Sequence, residues 1–372
     1  MPRQLTESGG GPLTRRDQLT ESPNSRAPLH EVPRNTILIG DAEEQLRRLP
    51  ESSIDCCITS VPYFNVRDYG VQRQIGLESD VDSWVEAMRP VFRELARVLK
   101  ESGTAWINVD DTYSSSRTLG VPPKGMFLAP ERLILALAAD GWIVRSKVVW
   151  AKPNPLPRPL SDRPNHSYEP FFLIARSPKY RFDLDAIRIP YLKSDTTWEK
   201  VPWSVDQSLD GSPGLYLGRD LGDVWTIPAK GFAGGHFATY PEALVEKPIL
   251  SSCPERICVA CDRHWSRSSD QHIVGHRVAG PASGHVARFG GRWRTYRTRG
   301  PLRPSCACKA AWKPGIVLDP FFGAGTTAVV AERLRRDWIG IELNPRYARI
   351  ADERIEAARS TSAMASERRT AA

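Results

Sequence analysis

The chain has 372 residues, of which 41% are hydrophobic and 25% charged, and this composition excludes a wholly disordered or fibrous protein. No run of about 18 apolar residues occurs and no apolar stretch follows the first charges, so we expect no membrane span, no secretory signal and a cytoplasmic location. The net charge is +8, and the segment from Asp262 to Lys313 holds 11 basic against two acidic residues, a local excess that predicts a polyanionic partner.

The two ends of the chain differ in composition from its middle. Residues 1–34 are rich in Gly, Pro, Ser, Thr and charge and contain QLTES twice, and residues 359–372 are similarly polar. Such segments have little apolar surface to bury, so we predict a disordered arm and a disordered tail.

Between these ends, apolar runs alternate with amphipathic helical patterns. Strands are predicted at 35–41, 54–60, 103–109, 142–150, 169–176, 315–319 and 339–343, and helices at 42–49, 81–100, 129–141, 326–336 and 345–359. Gly103 is predicted to end the helix that begins at Val81. The alternation predicts an α/β fold in which helices cover both faces of a mostly parallel sheet. Segments 185–235 and 262–313 fit neither period and look inserted.

The first motif, TSVPYF, follows the strand at 54–60 directly. Ser60 and the carbonyl of Val61 can accept hydrogen bonds from an exocyclic amine, Pro62 makes the turn rigid, and the ring of Tyr63 can stack on a planar base. An ordinary strand-to-loop turn stopped by proline is the alternative interpretation of this tetrapeptide.

The second motif, LDPFFGAGTT, places a strand that ends at Asp319 before a turn with Gly323 and Gly325 and a helix that begins near Thr326. This pattern lets the backbone approach a ligand closely, although the two glycines alone are also common in plain tight turns. Glu342 ends the next strand, where a carboxylate can accept hydrogen bonds from both ribose hydroxyls. No phosphate-binding lysine follows the glycines, so the pattern favours a nucleoside rather than a nucleoside triphosphate.

With three further segments in the same order, these motifs resemble the amino-group DNA methyltransferases that use S-adenosylmethionine. The motifs are TSVPYFNVRDYG, GTAWINVDDTY, HFATYPEALVEKPI, VLDPFFGAGTT and IGIELNP. The catalytic motif precedes the glycine motif, as in the beta class of that family. The resemblance covers residues 35–358 apart from the basic insertion. It implies a Rossmann-like methyltransferase sheet with an antiparallel hairpin at one edge, and a base flipped out of double-stranded DNA.

The resemblance also assigns residues to the site. It places the catalytic tetrapeptide at Ser60, Val61, Pro62 and Tyr63, with Asp111 as a weaker candidate for steadying Ser60 or the target amine. The cofactor-binding residues that it implies are Asp41 near the adenine, Glu342 on the ribose, His236 and Phe237 in the covering segment, and Asp319, Phe321, Gly323 and Gly325 around the methionine and sulfonium. Thr326 and Asn344, within the same motifs, complete the predicted set.

Val61 stands where the family usually has proline, which is a departure from its pattern. The function asked of that residue is a backbone carbonyl, and a valine before Pro62 is held in the same extended region. We therefore expect activity to survive. Serine at the head of the tetrapeptide, where adenine-specific relatives more often have aspartate, favours N4 of cytosine over N6 of adenine. Methylation of cytosine carbon 5 is disfavoured, because the chain has no Pro-Cys dipeptide.

Seven cysteines are present. Cys56, Cys57 and Cys253 are interpreted as core residues. The other four form two close pairs, Cys258 with Cys261 and Cys306 with Cys308, which bracket the arginine-rich segment. In a reducing compartment such pairs are more often metal ligands than disulfides, so we predict a structural zinc site. The spacing of the second pair is atypical, His264 could replace one ligand, and four unligated thiols remain the alternative.

The motifs divide the chain into a catalytic half (35–184), a candidate target-recognition region (185–235) with Trp198, Trp203 and Trp225, a cofactor-covering segment (236–257), a basic insertion (258–313) and a cofactor-binding half (314–358). Phe289, Trp293 and Tyr296 alternate with arginines in the insertion, which fits either a DNA surface or a solvated loop. The leading hypothesis is a DNA methyltransferase associated with the nucleoid, with a possible cognate restriction enzyme and an open oligomeric state. A catalytically silent DNA-binding protein, or methylation of RNA or protein, is the alternative.

Overall fold

The computed structural model describes residues 29, 31–115, 120–157, 159–189, 214–215, 220–229, 240–276 and 292–370. Most of the predicted N-terminal arm lies outside these ranges, as do His236, Phe237, Phe289 and the tryptophans at 198 and 203. Within the described ranges, no helix combines the length and the apolar composition that crossing a membrane requires.

One eight-stranded sheet forms the centre of the fold. Its strands, labelled in chain order and given in sheet order, are β1 (Thr36–Ile39), β13 (Asp337–Glu342), β12 (Ile316–Asp319), β2 (Ile54–Ser60), β3 (Leu99–Asn108), β5 (Tyr168–Ala175), β4 (Ile143–Ala151) and β7 (Val224–Thr226). The first five strands run parallel, whereas β5 is antiparallel to both β3 and β4. The predicted methyltransferase-type sheet with an antiparallel hairpin at one edge is therefore confirmed.

Helices cover both faces of this sheet. On one face lie α1 (Ala42–Arg48), α2 (Val81–Val98) and α3 (Ala129–Ala139), and on the other lie α4 (Glu242–Ser252), α5 (Thr326–Arg333) and α6 (Pro345–Thr370). Successive side chains of a strand point to opposite faces. In β2, Cys57 accordingly packs in the first core and Cys56 and Ile58 in the second. This two-sided burial explains why three successive residues of β2, Cys56, Cys57 and Ile58, are apolar.

Three predictions about elements are wrong. Gly103 does not end a helix: α2 stops at Val98, and β3 begins at Leu99 and passes through Gly103. The last helix continues to Thr370, so the predicted tail is largely helical, because no glycine or proline interrupts it after Pro345. Trp225 does not belong to an inserted region, since it lies in edge strand β7 and packs against Trp106. It is 4% exposed.

The basic insertion contains regular structure that its composition did not predict. At its base, β8 (Ile257–Cys258) pairs with β11 (Trp312–Lys313), and beyond them β9 (Ser266–His276) and β10 (Arg292–Arg303) form an antiparallel hairpin. A two-stranded parallel contact joins β6 (Gly214–Leu215) to β10. The candidate target-recognition region and the insertion thus share one small sheet.

The insertion is attached at the edge of the central sheet where the parallel strands begin. The ammonium group of Lys100 lies 2.9 Å from Asp55 Oδ1 and 2.6 Å from Asp262 Oδ2. The other oxygen of Asp55 accepts a hydrogen bond from the backbone amide of Ile316, at the start of β12. Lys100 therefore connects the base of the insertion to the starts of β2, β3 and β12.

Candidate active site

The loops that follow β2 and β12 open onto the same cavity. These two strands are neighbours and run in the same direction, with Cys57 opposite Leu318, so their carboxyl ends meet at one edge of the sheet. The residues of the predicted site that line the cavity are Asp41, Ser60, Val61, Pro62, Tyr63, Phe321, Gly323, Thr326, Glu342 and Asn344. The tetrapeptide and most of the predicted cofactor-binding residues thus surround one space, although they lie far apart along the chain.

The glycine turn depends on two left-handed backbone conformations. Gly323 has φ 53° and Gly325 has φ 73°, a region that residues with a Cβ adopt only at a cost. At Gly325, a Cβ would also lie 2.9 Å from the Cβ of Ala351 and 3.3 Å from the ring of Phe322. Glycine here permits both the turn and the close packing of α6 behind it, and α5 begins directly afterwards at Thr326.

Glu342 is buried at the end of β13 and borders the cavity. Its Oε2 accepts a hydrogen bond from the Gly323 amide at 2.7 Å, and its Oε1 accepts one from the Asn344 amide at 2.8 Å. Burial raises the pKa of this carboxyl group to about 7, against the opposing effect of the two amides. Each oxygen keeps a lone pair, so the carboxylate can accept hydrogen bonds from a diol in the cavity.

Asp319 lies behind the cavity wall rather than in it. The side chain is fully buried and its oxygens accept hydrogen bonds from the hydroxyls of Thr59 (2.7 Å), Thr327 (2.6 Å) and Tyr240 (3.0 Å). Burial raises the pKa of Asp319 even though these donors favour the charged form. Its contacts hold β2, α5 and the segment before α4 together around the site. Tyr240 itself lines the cavity and belongs to the predicted cofactor-covering segment (236–257), although it was not among the individually predicted residues.

Asp111 does not contact Ser60, which was the first of its two predicted roles. Its carboxylate accepts hydrogen bonds from the amides of Leu128 and Ala129, at 2.8 and 3.3 Å, and so caps the start of α3. The residue that reaches Ser60 is Asn108, whose Oδ1 lies 3.2 Å from the serine Oγ. Ser60 and Asn108 are paired residues at the ends of β2 and β3, and this register between strands is not visible in the sequence.

Tyr63 is held by a polar network behind the tetrapeptide. Its hydroxyl lies 3.1 Å from Ser60 Oγ, 2.9 Å from Asn108 Oδ1 and 2.8 Å from Glu169 Oε2. The other carboxylate oxygen of Glu169 is paired with the ammonium group of Lys152. Burial and the nearby Glu169 raise the pKa of Tyr63, so its hydroxyl stays protonated. Because β5 begins and β4 ends at the cavity edge, their antiparallel course brings Glu169 and Lys152 to this place, and sequence reasoning missed both.

The four predicted metal ligands come together at the base of the insertion. The sulfur atoms of Cys258, Cys261, Cys306 and Cys308 all lie within 4.8 Å of one another. His264 is not part of this group. Within the described ranges, these four cysteines are the one group of side chains placed closely enough to hold a metal ion. Next to it, the guanidinium group of Arg256 lies 5.0 Å from the ring centroid of Trp265 and 4.3 Å from that of Trp312. Cys56, Cys57 and Cys253 are fully buried, as predicted.

Comparison with known proteins gives matches along most of the chain. The family model N6_N4_Mtase, described as DNA methylase, matches residues 54–260 and 309–353. The Type II methyltransferase M.Cfr9I of Citrobacter freundii is 33% identical over 86% of this chain and 87% of its own length. The Type II methyltransferase M.SmaI of Serratia marcescens is 32% identical over 86% of this chain and 90% of its own length.

Solved structures share the fold at lower identity. PvuII DNA methyltransferase, a cytosine-N4-specific enzyme, superposes with a TM-score of 0.53 and 16% identity over 90% of this chain and 94% of its own. TTHA0409 of Thermus thermophilus, a DNA modification methylase complexed with S-adenosyl-L-methionine, has a TM-score of 0.50 and 19% identity over 87% of this chain and 94% of its own. At these identities the likeness concerns the fold alone.

Proposed function

The chain belongs to the N6/N4 family of S-adenosylmethionine-dependent DNA methyltransferases, and on that premise we propose that it methylates the N4 amino group of a cytosine flipped out of double-stranded DNA. The observation that carries the proposal is that the tetrapeptide of Ser60 and the glycine turn of Gly323 border one and the same cavity. A donor methyl group and an extruded base amine can meet there.

The cavity fits S-adenosylmethionine on two observations. Glu342 offers lone pairs to a ribose diol, and the left-handed turn at Gly323 and Gly325 leaves room next to the backbone. We propose that Glu342 and Asn344 face the ribose side, that Asp41 lies near the adenine, and that Phe321, Gly323 and Thr326 surround the methionine end. Asp319 and Gly325 do not line the cavity themselves, and we propose that they hold the residues that do in position. When bound, the cofactor supplies an electrophilic methyl group on a sulfonium.

The tetrapeptide supplies hydrogen-bond acceptors for the target amine. The amino nitrogen of cytosine is a poor nucleophile, because its lone pair is delocalised into the ring. If Ser60 Oγ and the Val61 carbonyl accept its two hydrogens, the pyramidal form with a free lone pair is stabilised, and this stabilisation acts on the transition state. Tyr63 borders the same cavity, and we propose that its ring stacks on the base.

Serine at position 60 supports cytosine N4 as the target, with adenine N6 as the alternative. The test is to express the chain in cells that lack modified bases and to analyse hydrolysed DNA by mass spectrometry together with sequencing that reports the modified site. We expect N4-methylcytosine in one sequence context. N6-methyladenine instead would overturn the target base, and no modified base with cofactor still bound would favour the silent DNA-binding protein.

Ser60→Ala is the decisive variant for the assigned chemistry. We expect it to abolish DNA methylation while the protein still binds S-adenosylmethionine, because the side chain is needed for the amine and not for the cofactor. Ser79→Ala is the matched control, since Ser79 is exposed and bonds its neighbour Asp80, away from the cavity. Methylation by Ser60→Ala at the rate of that control would remove the role given to Ser60.

We propose that the four-cysteine cluster binds one structural zinc ion. Tetrahedral Zn²⁺ with Zn–S bonds of about 2.3 Å requires sulfur separations of about 3.8 Å, which four sulfurs within 4.8 Å can meet. The expected result of metal analysis is about one zinc per chain, lost in the double variant Cys258→Ser and Cys261→Ser. Cys56→Ser is the control, because that thiol is buried in the core away from the cluster. Pure protein without zinc would refute the site.

The surface that reads the DNA sequence is proposed to combine segments 185–235 and 258–313. The pairing of β6 with β10 supports a shared role, and the arginine excess of the insertion suits phosphate contacts. Relatives named Type II methyltransferases support a place in a restriction–modification system, with a restriction enzyme of the same sequence specificity as partner. Genomic DNA from expressing cells should then resist cleavage by restriction enzymes that recognise one particular sequence, and should be cut by the others.

A further inference from the structure

Glu169 is a buried carboxylate, 7% exposed, that lies behind the catalytic tetrapeptide. Its Oε2 accepts hydrogen bonds from the Tyr63 hydroxyl at 2.8 Å and from Asn108 Nδ2 at 2.9 Å. Its Oε1 is bound by the ammonium group of Lys152, which is itself 4.9 Å from the ring centroid of Trp150. Both carboxylate oxygens are thus satisfied by donors, as a buried anion requires.

The carboxylate determines which way the amide of Asn108 points. Asn108 Nδ2 faces two groups that can only accept, the Glu169 carboxylate at 2.9 Å and the carbonyl of Pro170 at 3.3 Å. The amide nitrogen must therefore lie on that side, since a carbonyl oxygen turned towards them would find no hydrogen. Asn108 Oδ1 then faces the tetrapeptide.

This orientation decides what Ser60 can offer to a substrate. The two atoms behind its Oγ are Asn108 Oδ1 at 3.2 Å and the Tyr63 oxygen at 3.1 Å. The Tyr63 hydrogen has two acceptors other than Ser60, Glu169 Oε2 at 2.8 Å and Asn108 Oδ1 at 2.9 Å, and the carboxylate takes the larger share because it is the stronger acceptor. Both neighbours can thus accept the Ser60 hydrogen, and the lone pairs of Ser60 remain for a donor in the cavity.

We propose that Glu169, held by Lys152, is a positioning residue that makes Ser60 a hydrogen-bond acceptor by fixing the direction of the chain Ser60–Asn108–Glu169. The inference rests on the proposed function, in which Ser60 accepts a hydrogen from the target amine. Without the carboxylate, only the Pro170 carbonyl at 3.3 Å still holds the Asn108 amide, and the Tyr63 hydrogen loses its strongest acceptor. The Asn108 amide and the Tyr63 hydroxyl can then both turn and donate to Ser60. The Ser60 hydrogen would then point at the target amine, so a hydrogen of Ser60 would face a hydrogen of the amine and no hydrogen bond could form.

Glu169→Gln tests this directly, because Lys152 controls how glutamine sits. The ammonium group attracts the glutamine oxygen, so the glutamine NH₂ turns towards Asn108 and Tyr63 and reverses the chain. We expect kcat for methyl transfer to heterogeneous duplex DNA to fall about 100-fold, the size of loss seen when one preorganised hydrogen-bonding group is removed. The KM for S-adenosylmethionine should stay unchanged, because the network does not contact the cofactor-binding residues.

Adding Asn108→Asp to Glu169→Gln should restore the direction. The carboxylate and the amide exchange places. The aspartate oxygen that faces residue 169 accepts from the glutamine NH₂, and the aspartate oxygen that faces Ser60 accepts the serine hydrogen. We expect the double variant to recover kcat at least about tenfold over Glu169→Gln, because the lost transition-state hydrogen bond returns. The double variant keeps one carboxylate at the site, so it still tests the inference if Glu169→Gln alone does not fold. In that case its kcat should exceed that of Ser60→Ala by the same factor.

Glu131→Gln is the matched control, because Glu131 pairs with Lys147 on the exposed surface at 2.6 Å and touches no part of the network. Wild-type kcat in Glu169→Gln, with Ser60→Ala inactive, would overturn the inference and leave the proposed function intact. A loss in Glu169→Gln that the double variant does not recover would also overturn it, since a merely structural role predicts that result. An active Ser60→Ala would remove both the inference and the role of Ser60.

Discussion

The hydroxyl of Thr59 donates a 2.7 Å hydrogen bond to the carboxylate of Asp319. This bond joins the residue directly before the tetrapeptide that begins at Ser60 to the aspartate of the glycine motif, and both side chains are fully buried. Because Thr59 lies on β2 and Asp319 on β12, the bond fixes the distance between the two loops that border the cavity. In the proposed function, the distance between the target amine and the methyl donor therefore depends on this buried hydrogen bond, although neither substrate would contact Thr59 or Asp319.

Thr59→Val is expected to destabilise the fold and loosen the site. The substitution keeps the shape but leaves one oxygen of Asp319 with fewer donors, which costs about 1–3 kcal/mol. Urea unfolding should show this loss, and titration should show weaker binding of S-adenosylmethionine. Thr104→Val is the control: this buried threonine on β3 has no hydrogen-bond partner for its hydroxyl, so the same change should be neutral or stabilising. Equal effects of the two variants would contradict the importance of the bond.

Cofactor affinity should depend on the ionisation of Glu342. The pKa of this group is raised to about 7 by burial, and only the carboxylate can accept both ribose hydrogens. Affinity should be highest above pH 8 and fall about tenfold for each pH unit below 7, since the proton competes with the cofactor.

Calorimetric titration between pH 5.5 and 8.5 measures this dependence. Glu342→Gln should bind more weakly at pH 8 and lose the dependence, because glutamine does not titrate. An unchanged pH dependence in Glu342→Gln would assign the effect to another group.

Gly325→Ala should impair both stability and cofactor binding. Its φ of 73° strains any residue with a Cβ, and the added atom would also press on Ala351. Gly222→Ala separates the two effects, because Gly222 has φ 70° but no atom within 4 Å of an added Cβ. The control should lose about 1–2 kcal/mol from backbone strain alone. Thermal unfolding should show a larger loss for Gly325→Ala, and only that variant should lose cofactor affinity.

Lys100→Met should destabilise the protein by leaving Asp55 without its cation. Asp55 is 7% exposed, and removing one partner of a buried pair costs about 3 kcal/mol or more. Burial raises the pKa of Asp55, and without Lys100 it rises further. The difference from wild type should therefore shrink as pH falls and Asp55 takes up a proton, and grow as pH rises.

Denaturant midpoints at pH 5 and pH 8 test the sign of this change. Lys124→Met is the control, because its partner Asp162 is exposed and the midpoint should not move. A pH-independent loss in Lys100→Met would contradict the role of the buried charge.

The chain's order of motifs was sufficient to predict much of the site. A strand ending in Ser60, a strand ending in Asp319 with two glycines after it, and a strand ending in Glu342 follow from local patterns, and carboxyl ends of parallel strands share one edge of a sheet. The cysteine pairs were also readable, and their sulfur atoms do meet. These features are local in sequence or follow from a topological rule.

Asn108, Glu169 and Lys152 could not be found in this way. Each is an ordinary polar residue near a strand end, and its position next to Ser60 depends on the register of β3 and on the antiparallel turn back through β4 and β5. Asp111 was chosen instead because it too lies near the end of β3. Its carboxylate, however, accepts hydrogen bonds from the amides of Leu128 and Ala129 at the start of α3. A shift of two or three residues along a strand end changes the partner entirely, since hydrogen bonds reach only about 3 Å.

By itself the amino-acid sequence determined the alternation of strands and helices, the glycine turn and the residue types at the strand ends, because hydrophobic period and φ preference are properties of neighbouring residues. Only the tertiary structure decided that Thr59 holds Asp319, that Asn108 rather than Asp111 reaches Ser60, and that the insertion pairs with residues 214–215. Those contacts join positions far apart in the chain, and their geometry is set by strand register and packing, which no local pattern encodes.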